Sequence, residues 1–599
     1  MLHLYQSNRL EHLFELLSAV LRSQPLASPF EPEIVIVQSK GMGRWLNFRL
    51  ARAQGIAANL RYPLPASFFW DVLNRMLGTQ KPRSAFAPEV LTFRILRWLE
   101  NPDNLFGAEV LAQYLAGGGD FRRYELARRL ADVLDHYLIY RPDWLQAWEA
   151  KQQPLQAPDA QWQARLWRDL VADAADDHRA ASLARMLQLL QRGEGIERLP
   201  QRVSLVGISS LPPVYLELLK LLGQHIDVAF FALNPCAVPW GDIRDAAEQA
   251  RLSPDADPAE LYLDVGNPLL AAWGKQGRDF FASLADVPQL HDVFDEPDAA
   301  PQTLLHCLQQ DVLTLTNRAE AEPYPLRADD RSLQIHVCHS PMREVEVLHD
   351  QLLALFNADT SLQPADVVVL TPDIELYAPF IDAVFAPHPG APTVPYSIAD
   401  RSEAASSPLV QAFMSLLALP ESRFPADFVL GLLDTPAIRT RFDIDEADLP
   451  RIQHWVAATH TRWGRDAEHK AEFDLPPTAQ NSWREGLARM LLGCALPQAA
   501  QADGLPLYCQ LLPYDDIEGA QAQVAARLAA FVETLFQQAQ ALTEARPLHE
   551  WADGIGALCD ALLLAESDAD SAVLQQIRAR LQDLRELAAL AGHATPVEL

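Results

Sequence analysis

Leu2-His3-Leu4-Tyr5, then Gln6-Ser7-Asn8-Arg9, then apolar residues at Leu10, Leu13, Phe14, Leu17 and Leu21: the chain opens as a strand, a turn and an amphipathic helix. Ile34-Val35-Ile36-Val37 repeats that order, running into Gln38-Ser39-Lys40-Gly41-Met42-Gly43 and a helix from about Arg44. Two consecutive β-loop-α units predict a parallel α/β sheet, because parallel neighbours need a crossover and the crossover is usually a helix. From about residue 85 to 195 the strand pattern lapses, and Leu126, Arg129, Leu130, Val133 and Leu134 follow helical spacing instead. Strands resume with Val203-Ser204-Leu205-Val206-Gly207 and Val228-Ala229-Phe230-Phe231-Ala232-Leu233, separated by a helix behind Pro212-Pro213. The first domain is therefore read as 1–325, with an α/β core at 1–84 and 196–284, a helical insertion at 85–195 and a linker rich in Asp, Glu, Pro and Ala at 285–325.

A second α/β start is expected over 326–401. Ser332-Leu333-Gln334-Ile335-His336-Val337 reads as a strand, 342–356 as a helix, and Val367-Val368-Val369-Leu370 as a buried strand. Residues 402–599 are read as the helical insertion of that domain. Thr595-Pro596-Val597-Glu598 has the residues of an N-cap, a Pro at N1 and a Glu at N3, which announces a helix and suggests a truncated polypeptide.

Composition bounds the class. The 599 residues are 49% hydrophobic and 21% charged, with 26 Gly and 44 Pro, so the chain can bury a large core and is neither disordered nor fibrous. Six cysteines, Cys236, Cys307, Cys338, Cys494, Cys509 and Cys559, form no CxxC pair and suit reduced thiols. No long apolar run and no basic-then-apolar leader occur, so we expect a cytoplasmic protein without a membrane partner. The net charge of −30 opposes non-specific attraction to phosphate backbones. That charge is unevenly spread. The first hundred residues hold 12 Lys and Arg against 7 Asp and Glu, an excess of about +5 on a body that otherwise carries about −35.

The turns that would carry chemistry lack its residues. A phosphate loop needs glycines, for close backbone approach, and a lysine, for charge, between the first strand and its helix. Gln6-Ser7-Asn8-Arg9 offers neither. Lys40-Gly41-Met42-Gly43-Arg44-Trp45 is glycine-containing, but its spacing fits neither a dinucleotide fingerprint nor a phosphate loop, and a simple turn before a helix explains it as well. Gly207-Ile208-Ser209-Ser210 is not the GxSxG of a nucleophile elbow. His336-Val337-Cys338-His339 places His336 and Cys338 on one strand face and His339 on the other, with no second cluster to complete a metal site. Acidic pairs such as Asp132 with Asp135, or Asp176-Asp177, lie among helical residues where solvated salt bridges are usual.

What remains is a group of amide, basic and aromatic residues in the positive N-terminal segment. Gln38, Lys40 and Arg44 follow the second strand, at the edge of an open α/β sheet where ligands usually bind. Pro63-Leu64-Pro65-Ala66-Ser67-Phe68-Phe69-Trp70 follows closely. Amides read base edges, cations contact phosphate or guanine, and aromatic side chains stack on bases, a combination suited to single-stranded nucleic acid. Phe68, Phe69 and Trp70 could equally be core at a helix start.

The strings YQSNRLEHL, PFEPEIVIVQS, GIAANLRYPLPASFFWD, YLIYRPDWL, VGISSLPPVYLELL, DVGNPLLAAWGKQGRD, HVCHSPMREVEVLHD and LPYDDIEG resemble the RecC family, the gamma subunit of exodeoxyribonuclease V, the RecBCD helicase-nuclease. The likeness runs from residue 1 to beyond 510, and family members are roughly twice as long. It implies decayed superfamily 1 helicase-like parallel sheets with large all-helical insertions, with the C-terminal nuclease-like domain absent here. It also implies a heterotrimer with RecB-like and RecD-like subunits on double-stranded DNA ends. In that assembly this non-catalytic subunit would guide the unwound 3′ strand and scan it for Chi during double-strand break repair, and ATP and Mg2+ would be used by the partners, with no cofactor on this chain. Channel residues carried over from the family are Gln38, Leu64, Trp70, Asp132, Asp135, Arg141 and Arg179, together with Lys40, Arg44 and Val133, where enteric relatives have Thr, Gln and Leu. A protein-interaction scaffold of helicase ancestry, without DNA, is the alternative.

Overall fold

The computed structural model describes residues 1–599 apart from 79–83, 174–177, 253–265, 296–300, 387–392, 402–406 and 497–506, so Asp176-Asp177 and part of the expected linker lie outside the described residues. The chain divides into two compact units: Met1–Pro88, Phe106–Ala108 and Arg128–Ile335 form one, and Glu89–Leu105, Glu109–Ala127 and His336–Leu599 the other.

The first unit is built on a six-stranded sheet of order β3-β2-β4-β5-β1-β6, with every ladder parallel. The strands are β1 (Leu2–Ser7), β2 (Glu33–Val37), β3 (Leu60–Arg61), β4 (Arg202–Val206), β5 (Asp227–Leu233) and β6 (Gln289–Asp292). Strand alternation sends successive apolar residues to opposite faces, so both faces must be covered. On one face Val35, Val37, Ala229 and Phe231 pack under α1 (Leu10–Ser23) and α2 (Lys40–Gln54). On the other, Leu4, Ile34, Ile36, Val203, Leu205, Val228 and Phe230 pack against α3 (Pro65–Leu77), and against Leu183, Tyr215 and Phe280 of later helices.

Between α3 and β4 come α4 (Pro88–Glu100), α5 (Glu109–Leu115), α6 (Asp120–Tyr140), α7 (Pro142–Glu149), α8 (Ala160–Ala172) and α9 (Arg179–Arg192), the helical insertion expected from the 3.6-residue period. After β4 and β5, with α10 (Pro213–Leu222) between them, follow α11 (Ala246–Leu252), α12 (Pro268–Trp273), α13 (Lys275–Ser283) and α14 (Leu304–Leu313). The segment read as linker thus contains an edge strand, β6, and a helix, α14. Its acidic and proline-rich composition hid both, since all four residues of β6 are exposed and show no apolar run.

The chain beyond residue 325 departs further from expectation. The helix expected over 342–356 is present as Pro341–Ala358, with Ser340 accepting from the Arg343 amide at its start. Neither 332–337 nor 367–370 is a strand, although 332–337 alternates in polarity and 367–370 is a continuous apolar run. Ile335 is 86% exposed, Val337 95%, Val368 79% and Leu370 87%, and neither segment belongs to a ladder. An apolar run becomes a strand only when a neighbour takes its backbone N–H and C=O groups, and among the described residues no neighbouring strand does. Further on, helices that include Gln521–Ala541 and Leu548–Leu562 bury Trp455, Trp483, Phe531 and Leu558 in one core. The capping box at Thr595 does not form either. Its hydroxyl donates to Glu100 Oε2 at 2.9 Å, and Val597 pairs with Arg546 in an antiparallel bridge instead of entering a helix. No helix among the described residues is long and apolar enough to cross a membrane.

Candidate nucleic-acid interface

All ten residues singled out above fall in the first unit, in two groups. The first lies at the carboxyl end of β2. Gln38 leaves the strand exposed, and Ser39 caps α2 by accepting from the Met42 amide at 3.2 Å, which fixes Lys40 as the first residue of that helix. Arg44 follows on its exposed side, with its guanidinium over the Phe48 ring at 5.7 Å. Gly43 faces inward. A Cβ there would meet Tyr62 at 2.9 Å, so the glycine lets α2 close on the Tyr62-Pro63-Leu64 segment. The Val37 amide donates to the Pro63 carbonyl at 3.1 Å, which brings Leu64, a half-exposed residue before Pro65 at the start of α3, beside the end of β2. The aromatic run resolves into core and rim: Phe68 and Phe69 are buried, whereas Trp70 is half-buried against the same core.

The second group stands on α6, α7 and α9. Asp132 and Val133 are exposed on α6, and Asp135 one turn on pairs with Arg179 at 3.1 Å. Arg179 is the first residue of α9, placed there by His178, whose Nδ1 accepts from the Ala181 amide at 3.1 Å. His178 is itself held through Nε2 at 2.8 Å from Glu149, which also accepts from Trp167 Nε1 at 2.9 Å. Burial pushes the Glu149 carboxyl up, but the bonds from His178 and Trp167 outweigh it and leave the group below its ordinary value. Arg141 precedes α7, makes two hydrogen bonds to Asp143 at 3.3 and 3.2 Å, and lies over the Trp144 ring at 3.9 Å.

Tyr215, at the start of α10, joins the two groups and went unrecognised in the sequence. Its ring stacks on Phe69 with centroids 4.5 Å apart and planes 14° apart. Its hydroxyl is pushed above the ordinary tyrosine value by burial, with Arg179, Asp135 and Tyr140 close enough to act on it as charges. Phe69, Leu183 of α9 and Tyr215 lie in one core, which ties the helix carrying the half-buried Trp70 to the helix that begins at Arg179. The signal available in the sequence was only an apolar-flanked Tyr after Pro212-Pro213, which reads as core.

The β1-α1 turn, where a nucleotide hydrolase would hold phosphate, is filled by the protein's own side chains. Arg9 and Asp295 form an ion pair, the Asp295 amide donates to Asn8 Oδ1 at 3.1 Å, and His12 lies 3.7 Å from the same carboxylate. Gln6 accepts from Asn234 Nδ2 at 2.6 Å across the neighbouring strand. Among the described residues no group of three or more His, Cys, Asp or Glu could hold a metal ion.

A doubly covered parallel sheet with helical insertions, with amide, cationic and aromatic side chains at its carboxyl edge, makes an α/β protein consistent with a helicase-like parallel sheet, and its first turn has neither glycine nor lysine. The family model for the RecC N-terminal domain matches residues 2–315, and that for the fourth domain of the RecBCD enzyme subunit RecC matches 406–599. The chain belongs to the RecC family. It is 39% identical to the RecBCD enzyme subunit RecC of Escherichia coli (strain K12), over 100% of this chain and 57% of that protein. The corresponding protein of Haemophilus influenzae is 34% identical over 97% of this chain and 56% of its own length, and that of Mycolicibacterium smegmatis 32% over 99% and 54%. The chain spans just over half the length of these curated relatives.

Proposed function

We propose that this chain is a non-catalytic DNA-channel subunit of a RecBCD-type exodeoxyribonuclease V, working with RecB-like and RecD-like subunits in recombinational break repair. It guides the unwound 3′ strand across the carboxyl edge of its six-stranded sheet and scans it for a Chi-type signal. The observation that carries this reading is that both groups of candidate residues lie in one unit, where α3, α9 and α10 share one core through Phe69, Leu183 and Tyr215. Side chains there span the chemistry that single-strand readout needs: amide at Gln38, cation at Lys40 and Arg44, aromatic at Trp70, carboxylate at Asp132.

Non-catalysis rests on the β1-α1 turn. Arg9, the cation of that turn, is committed to Asp295, and Asn8 to the Asp295 amide, so neither is free to take a phosphate where a phosphate loop would offer glycine amides and a lysine. ATP and Mg2+ are accordingly assigned to the partner subunits, and the whole assembly to the cytoplasm. The test is a reconstituted three-subunit enzyme carrying Gln38→Ala or Asp135→Ala, with pausing and cleavage mapped on a library of random inserts. Altered signal-dependent positions with near-normal unwinding support the channel. Maps identical to wild type reject it and favour a scaffold without DNA contact.

A further inference from the structure

The candidate edge continues past Gln38 through residues that neither the motifs nor the family resemblance assigned. Ser209 Oγ donates to Gln38 Oε1 at 3.4 Å, and its neighbour Ser210 accepts from Gln276 Nε2 at 3.0 Å. Gln38, Ser209, Ser210 and Gln276 therefore form one line of amides and hydroxyls, running from the end of β2 past the end of β4 to the first turn of α13. Three residues before Gln276 stands Trp273, the last residue of α12, with 83% of its surface exposed.

The corner that presents Trp273 is tightly held. Gly274 and Gly277 flank the α12–α13 corner where the chain presses on Trp240: a Cβ on Gly274 would meet the Leu270 carbonyl oxygen at 2.5 Å and Trp240 at 2.9 Å, and one on Gly277 would meet Trp240 at 3.2 Å. Trp240 is buried and fixed by its indole N–H, which donates to Asn234 Oδ1 at 3.1 Å. Lys275 is bound to Asp245, so the charge beside Trp273 is already neutralised. A large aromatic ring is left in solvent at a closely packed corner, three residues ahead of Gln276 in the chain.

Resting on the channel reading above, we infer that Trp273 and the Gln38–Ser209–Ser210–Gln276 rim form a further subsite for unstacked bases of single-stranded DNA, with the indole as stacking platform and Gln276 as an edge-reading amide. A protein partner fits less well. A docking patch of useful size is a contiguous apolar area of several hundred Å2, whereas Trp273 is followed by Gly274, Lys275 and Gln276. Stacking on an isolated aromatic needs no such area, and every base has a face to offer.

The test uses the full chain, alone and assembled with its partner subunits, and reads fluorescein-oligothymidylate anisotropy together with the fluorescence of a strand carrying 2-aminopurine. Trp273→Ala is expected to weaken binding about tenfold and relieve 2-aminopurine quenching, while Trp273→Phe keeps most of both and neither variant changes the salt slope. Gln276→Ala is expected to weaken binding less, by about threefold, with quenching retained. If Trp273→Ala leaves affinity and quenching unchanged while Arg44→Ala or Gln38→Ala alters them, the subsite is rejected and the channel stands. If Trp273→Ala instead disrupts assembly with the partner subunits at unchanged DNA affinity, the surface docks protein and the proposal fails. If no preparation of the wild type binds the strand, both readings fall together.

Discussion

Ile34-Val35-Ile36-Val37 and Val367-Val368-Val369-Leu370 are nearly the same string, yet they end in opposite places. The first is the buried strand β2, paired with β3 on one side and β4 on the other; the second is largely exposed and joins no ladder among the described residues. Branched apolar residues favour extended backbone in both. What separates them is supply of neighbours: β2 has partners drawn from residues 60–61 and 202–206, while the described residues supply none to 367–370. β propensity states readiness to pair, and topology decides whether pairing happens.

The sharpest way to break that comparison is to cut a branched apolar side chain back to alanine in each place. Ile36→Ala should destabilise the first unit by about 2–5 kcal/mol, because it removes three carbons from a fully buried site between two covered faces. Val368→Ala should change stability by no more than about 0.5 kcal/mol. Chemical denaturation read at both units checks this, and equal losses would show that 367–370 is packed in solution. Hydrogen exchange gives the same contrast without mutation: amides of 34–37 and 203–206 should be among the slowest, and those of 333–337 and 367–370 among the fastest.

A smaller effect is expected where the paired sheet holds the candidate edge. Gly43→Ala places a methyl at 2.9 Å from the Tyr62 Cβ and should cost about 1–3 kcal/mol while pushing α2 away from Leu64. Binding of single strands should then fall together with stability. Gly55→Ala, where the added methyl meets nothing, is strained only by its positive φ and should leave the edge undisturbed.

The pattern of legibility follows the same physics. β2, β4 and β5 were readable because central parallel strands are buried on both faces and appear as largely apolar runs, and β1, Leu-His-Leu-Tyr, was readable from its alternation and the helix that follows it. β3 has two residues and β6 is Gln-Leu-His-Asp at an edge, so neither offers a run to read. The segments at 332–337 and 367–370 were misread because sequence shows propensity and not partners. In the candidate interface, Gln38, Lys40 and Arg44 were legible from their place after a strand, and Asp132, Asp135, Arg141 and Arg179 only through family likeness. Tyr215, Gln276 and Trp273 were missed: a buried tyrosine looks like core, and the line from Gln38 to Gln276 joins residues over two hundred positions apart.

Acid should act on the second group of the interface through Glu149. Its carboxyl is held below the ordinary value by His178 and Trp167 against the opposing effect of burial, so its contribution is present above the unfolded value of about 4.3 and is lost as pH falls through the lower folded value. Glu149→Gln should flatten the loss of first-unit stability in that acidic window and leave stability near neutrality slightly reduced, measured by thermal unfolding across pH 3–7. An unchanged acid limb would mean that Glu149 does not hold the start of α9.

The smallest stability effect, and the most informative, belongs to the Asp135–Arg179 pair. Both side chains are partly exposed, so the ion pair itself contributes at most about 1 kcal/mol, and Asp135→Asn, Arg179→Gln and the double variant should unfold within a few degrees of wild type. Their binding behaviour should differ. An arginine already neutralised by a carboxylate adds little to the count of phosphate contacts, so Arg179→Gln should leave the salt slope nearly unchanged, whereas Arg44→Gln, at an exposed helix position, should lower it by about one unit. Asp135→Asn removes the neutralising charge and should raise the slope as Arg179 turns to phosphate. The double variant then separates the two roles: a slope equal to wild type, with altered preference among sequences, means that the pair reads bases as a unit. A slope lowered equally by Arg179→Gln and Arg44→Gln would instead make Arg179 an ordinary backbone contact, and base reading would rest with Gln38 and its rim.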